Sequence, residues 1–163
     1  MLMSGFYKEL KMPQKASEYR DIAEKLLEAV TAVLWHEEVG AWLDYDIMND
    51  VKRDYFYPTN IAPLWTGCYD ERIKIGKVMK YLEKTKITQN LGGIPTTIEH
   101  TGEQWDYPNA WPPLQYIMIM ALHNSGDSWA KKLAFELSEK WVRSNYKAFN
   151  ETDAMYEKVS GKY

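Results

Sequence analysis

The sequence predicts an all-α chain. Three observations carry that expectation: apolar residues recur at three- and four-residue steps in separate windows along the chain, a four-residue turn at 124–127 joins the last two windows, and the segments between windows hold only short alternating runs. Residues 1–11 read as the end of a helix, with Leu2, Phe6, Tyr7 and Leu10 on one face and Pro13 as its breaker. From Ser17, a candidate N-cap, a second helix carries Tyr19, Ile22, Ala23, Leu26, Leu27, Val30 and Val33 and ends by Gly40. Trp42 to Asp46 alternates apolar and polar residues, Asn49-Asp50 offers a turn, and Arg53 to Tyr57 is aromatic-rich, which together read as a short hairpin or ordered aromatic loop. Pro58 and Pro63 bracket an irregular stretch, and Tyr69 to Leu82 reads as a helix with Ile73, Ile75, Val78, Met79 and Leu82 apolar. Residues 88–113 have little periodicity; their Gly92-Gly93, Pro95, Gly102 and Pro108 mark a long irregular segment, and such segments in compact chains are functional or disordered. Trp105, Tyr107 and Trp111 point to order. Pro112-Pro113 opens a helix over Leu114 to His123 that is apolar nearly all round and is therefore expected to be buried. Ser128 is the expected cap of a last long helix whose Trp129, Leu133, Leu137, Trp141 and Val142 should face the core, before a polar, unpatterned tail over 150–163. A turn as short as 124–127 makes the last two helices antiparallel.

Composition narrows the function classes. The 163 residues carry 20 Lys+Arg against 23 Asp+Glu, a net charge of -3, so there is no basic excess to displace counterions from a nucleic acid. The charged fraction of 26% and the apolar fraction of 45% describe a soluble, globular chain, and the length suits one domain or a piece of a larger one, with no internal boundary over 1–163. The longest apolar stretch, Tyr116 to Leu122, is far short of a membrane span, and MLMSGFYKEL has no apolar h-region, so no secretory signal is expected. Cys68 alone supports neither an internal disulfide nor a cysteine zinc site, His36, His100 and His123 lack ligand spacing, and the run of Asp44, Asp46, Asp50 and Asp54 lacks the glycine and closing glutamate of a calcium loop. No metal is therefore expected. The unusual number is the aromatic content, 14%, with 7 Trp and 12 Tyr.

The densest candidate site is Glu103-Gln104-Trp105-Asp106-Tyr107-Pro108-Asn109-Ala110-Trp111-Pro112-Pro113. A sugar presents hydroxyls, which want bidentate polar partners such as Gln104, Asp106 and Asn109, and an apolar face, which wants a flat ring such as Trp105 or Trp111. Taken alone, these residues fit better a rigid proline-bounded loop whose tryptophans plug a core, since buried tryptophan is common.

QWDYPNAWPPLQ, residues 104–115, closely resembles the second signature of the trehalases, glycoside hydrolase family 37. RDYFYPTN at 53–60 resembles the family's RDYFYPSN, GGIPTT at 92–97 resembles its GGIPTS with Thr97 in place of serine, and Met155-Tyr156-Glu157-Lys158 resembles its M-[YF]-E-K run. The resemblance covers essentially the whole chain and implies a partial (α/α)6 toroid with short hairpin or irregular aromatic-rich loops between helices. It implies hydrolysis of the disaccharide α,α-trehalose to two glucose molecules with inversion and no cofactor. It places the catalytic base on Glu157 and substrate contacts on Gln104, Trp105, Asp106, Asn109 and Trp111. It also implies that this chain is an internal or truncated piece, because the family's arginine-rich pocket, its W-D-F-S-S-R-W run with the catalytic acid and its GGGGEY segment do not occur in the 163 residues. After Lys158 the family continues YDV, where this chain has Val159-Ser160-Gly161. Another inverting glucosidase of the same fold, or a non-catalytic sugar-binding or scaffold fragment, are the alternatives.

Overall fold

A computed structural model describes residues 1–70 and 75–160. Helix α1 (Leu2–Glu9) turns through Lys11, which has φ +56°, directly into α2 (Pro13–Leu34). Helix α2 thus starts at Pro13 and not at Ser17: a proline suits the first helical position, where its missing N–H is not needed, so one residue both stops α1 and starts α2. The two helices approach at Ser4, whose hydroxyl donates to the carbonyl of Ala16 at 2.7 Å, and Tyr7 stacks on Tyr19 with ring centroids 5.2 Å apart. Ala16 is the one fully buried residue of α2, and Ile22, Leu26 and Val33 of its apolar stripe are exposed.

Two small antiparallel ribbons follow: β1 (Trp35–His36) with β2 (Ala41–Trp42), and β3 (Asp44–Asp46) with β4 (Val51–Arg53) in the register Asp44↔Arg53 and Asp46↔Val51. Asp46 closes the second ribbon's turn by accepting from the backbone N–H of Met48 and Asn49, at 3.0 and 3.1 Å, and from the Asn49 side chain. Gly40, at φ +81°, cannot be another residue, since a Cβ there would lie 2.7 Å from the Lys77 carbonyl oxygen.

The expected irregular stretch between Pro58 and Pro63 is instead a 3-10 turn (Pro58–Ile61) running into the short helix α3 (Ala62–Thr66). Helix α4 (Ile75–Thr85) buries Val78, Met79, Tyr81 and Leu82; the expected helical position Ile73 lies outside the described residues. Helices α5 (Pro112–Asn124) and α6 (Ser128–Thr152) form the antiparallel pair that the 124–127 turn dictates. The cap of α6 is Asp127, whose carboxylate accepts from Ala130 N at 2.8 Å, so Ser128 is already helical. Helix α5 buries one face (Gln115, Met118, Ala121, Leu122), while Tyr116 is exposed, a narrower burial than its all-round apolar sequence predicts. Of the α6 stripe Leu137 is buried, but Trp129 and Val142 are exposed at 51% and 65%. The main core joins Trp42, Phe56, Leu64, Met79, Leu82, Ile94, Met118, Leu122 and Leu137, so α3 to α6 and the first ribbon share it.

Candidate active site

The segment between α4 and α5 has one short strand, β5 (Asn109–Ala110), and is held together by side chains. One oxygen of Asp106, Oδ2, accepts from the hydroxyl of Thr101 at 2.9 Å, from the N–H of Gly102 at 2.8 Å and Glu103 at 3.2 Å, and from the N–H of Thr101. Desolvation pulls its pKa upward, but the Thr101 hydroxyl and the backbone donors of 101–103 outweigh it and hold the carboxyl below the usual carboxylate value. Tyr107 N donates to Glu99 O at 3.2 Å, the Tyr107–Pro108 peptide is cis, and the Asn109 side chain donates to Gln104 O at 2.9 Å. Folded this way, the segment leaves Gln104 exposed and Trp105 45% exposed, and buries Asp106. Trp111 is half-buried, and its indole N–H is buried without a hydrogen-bond partner among the described residues.

The GGIPTT stretch packs behind this loop. Gln115, fully buried on α5, donates its amide N–H to Ile94 O at 2.5 Å and accepts from Ile94 N at 2.8 Å. Gly93 has φ +116°, and a Cβ on it would lie 2.8 Å from both Gln115 Oε1 and Trp141 Cε3. Thr97 Oγ1 accepts from Glu99 N at 3.0 Å, a bond serine would make equally well. Thr96 N donates to Asn109 O at 3.1 Å and fastens the stretch to β5. In RDYFYPTN the organising residue is Asn60: Oδ1 accepts from Tyr57 N at 2.7 Å and from the Tyr81 hydroxyl at 3.1 Å, and Nδ2 donates to Trp42 O at 2.8 Å. Burial, and after it the charge of Asp54, raises the Tyr81 pKa well above its ordinary value, so the hydroxyl keeps its proton.

Helix α6 ends at Asp153, in the left-handed conformation at φ +53°, and the chain turns back. At about 1.5 Å per residue α5 is about 20 Å long and α6 about 38 Å, so α6 overruns its partner and the reversal is needed to return the chain. It returns to the signature loop: β6 (Val159–Ser160) pairs antiparallel with β5, Asn109 facing Ser160 and Ala110 facing Val159. Lys158 Nζ donates to Gln104 O at 3.5 Å. Glu157 is exposed; it immediately precedes Lys158 and lies two residues before β6 in the chain. Beside it Pro112, Trp141, Phe149, Met155 and Tyr156 line an apolar cavity of about 440 Å³. Sequence reasoning did not single out Gln115 or Gly93; the signal was a lone amide in the otherwise apolar run from Leu114 to Leu122. Among the described residues, no group of three or more His, Cys, Asp or Glu is placed to hold a metal ion, and no helix is long and apolar enough to cross a membrane.

Paired helices with the connecting loops and chain returns gathered beside one another define the class: a segment of an (α/α)6 toroid. The backbone superposes on neutral trehalase Nth1 from Saccharomyces cerevisiae with a TM-score of 0.74 at 24% identity, over 91% of this chain and 27% of that one. The trehalase family model matches residues 1–161, and the chain belongs to the trehalase family. It is 62% identical over 161 residues to a trehalase of Apis mellifera and 43% identical over 157 residues to that of Homo sapiens, covering 97% and 96% of this chain. It spans about a quarter of the length of these relatives, 26% and 27%.

Proposed function

We propose that this chain is part of a single catalytic domain of an inverting α,α-trehalase, to which it contributes the general base and part of the sugar-binding surface. The carrying observation is the pairing of β6 with β5, which places the Glu157 segment against the 104–111 loop although the two are far apart in sequence. Glu157 takes a proton from water as the water oxygen attacks one anomeric carbon of trehalose, and the bridging oxygen leaves with a proton from an acid on another part of the protein. An inverting pair needs its carboxyls about 6.5–9.5 Å apart to seat that water. A base on an exposed segment, bathed in solvent until substrate arrives, suits a group that must be ionised near neutral pH. Trp105 offers an exposed ring to a sugar face, Gln104 and Asn109 offer amides, Asp106 braces the loop and Trp111 backs it. No metal or organic cofactor enters the reaction.

The test is Glu157→Gln in the intact protein. Turnover of trehalose should fall by about 10²–10⁴-fold, the usual cost of a lost general base. α-Glucosyl fluoride, whose departure needs little acid help, still needs its water activated and should not rescue the variant. Hydrolysis of the fluoride at the wild-type rate would move the base to another carboxylate.

A further inference from the structure

We propose that Gln115 is a positioning residue for Glu157, acting through the backbone of the GGIPTT stretch; the inference rests on Glu157 being the base. A buried glutamine in an apolar helix must satisfy both ends of its amide, and Gln115 does so on one residue, Ile94, as donor and as acceptor. The fit is tight, because Gly93 leaves no space for a Cβ against Gln115 Oε1 or Trp141. From Ile94 the path is short. Thr96 N holds Asn109 O, Asn109 and Ala110 hold Ser160 and Val159, and Glu157 lies two residues before that bridge. The clamp therefore sets where the inner edge of β5 lies, and β5 sets where the returning chain can pair. Asp106 organises residues 101–103 by bonds of its own, so the face that carries Gln104 and Trp105 has a brace besides its link through Asn109.

Gln115→Glu distinguishes this role from general packing, because its effect depends on one proton. The neutral carboxyl can donate O–H to Ile94 O and accept from Ile94 N, as the amide does. The ionised form has no donor and sets a negative charge against the Ile94 carbonyl. Burial keeps the introduced carboxyl neutral to higher pH than an ordinary glutamate.

In the intact enzyme, with rates taken as the ratio to wild type at each pH so that pH effects common to both proteins cancel, Gln115→Glu should keep a kcat ratio near one in acid. The ratio should fall by about 10²-fold once the new carboxyl ionises, the cost of an error of about 1 Å in a reacting group, with a smaller change in KM through Asn109. Gln115→Met, isosteric without a donor, should have low kcat at every pH. Leu82→Ala, in the same core but outside the hydrogen bonds of the clamp, should lower the melting temperature and leave kcat alone. Hydrogen exchange at 109–110 and 159–160 should quicken as Gln115→Glu ionises. A pH-independent ratio for folded Gln115→Glu, wild-type kcat in Gln115→Met, an equal kcat loss in Leu82→Ala or unchanged exchange would each overturn the proposal. Failure of the base assignment has a different signature: Glu157→Gln keeps turnover while the exchange response to Gln115→Glu persists.

Discussion

The α1–α2 pair and the 91–111 segment differ in a way that their sequences do not suggest. The first pair is regular, periodic and long, yet it buries little: Ala16 and Ser4 at the crossing, with Leu2, Phe6, Ile22, Leu26 and Val33 exposed. The second has almost no regular structure, yet Gly92, Gly93, Ile94, Pro95, Thr97, Asp106 and Ala110 are buried and most of its bends are tied by a named hydrogen bond. Regularity satisfies the backbone locally and leaves side chains to find a partner, whereas an irregular segment must satisfy its backbone from elsewhere and becomes anchored in doing so.

The sharpest test of that contrast sets two tryptophans of one loop against each other. Trp111→Ala should cost about 3 kcal/mol of stability, the lower end for a large aromatic because the ring is half-buried, read from the denaturant midpoint. Trp105→Ala should leave that midpoint near wild type and lower kcat/KM for trehalose, since the ring is 45% exposed. A stability loss in Trp105→Ala with unaltered kinetics would exchange their roles.

A smaller effect follows from Asp106. Its folded pKa is depressed, so the stability its ionised form contributes is complete above the ordinary value of 3.8 and is lost only as pH falls through the lower folded value. Acid unfolding of wild type should thus show a component below pH 3.8 that Asp106→Asn lacks; identical acid limbs would show that the four donors do not hold the charge. The smallest effect belongs to the exposed helices. In the 163-residue chain Ile22→Ser and Leu26→Ser should each shift stability by no more than about 0.5 kcal/mol, as for surface positions. In the intact protein larger losses would show that another part of the molecule covers this stripe. A cost in the chain alone above that of Trp111→Ala would break the comparison.

Periodicity located the helices because burial on one side is what periodicity reports, and the α5–α6 turn followed from its length. Helix starts were harder. Pro13 reads as a breaker but is also the first residue of α2, and Ser128 reads as the cap although Asp127, one residue earlier, has the carboxylate in reach of Ala130 N. Along α6, at about 100° per residue, Trp129 lies about 80° and Val142 about 140° from Leu137, so the buried face that Leu137 marks leaves both outside it. The signature loop was legible as a candidate site from its residue types. Its anchoring was not, because the bonds that tie it to the rest of the fold join residues whose proximity depends on the tertiary path: Gln115 to Ile94 spans 21 positions and Lys158 to Gln104 spans 54.

The α5–α6 hairpin has a consequence for the order in which the molecule folds. Closing a loop costs entropy that grows with the length of chain left free, so bringing Glu157 to Gln104 from an open chain is a distant event. The pairing of α5 with α6 is local, since only the 125–127 turn separates them, and it forms without waiting for anything else. Once it has formed, the free chain between Ala110 and Val159 shrinks to the few residues on either side of the hairpin, and the β5–β6 bridge becomes a short closure. The β5–β6 contact is then a late, short step on a scaffold already built, and slowing the hairpin, for instance by replacing the Asp127 cap, should delay that contact more than it delays the helices.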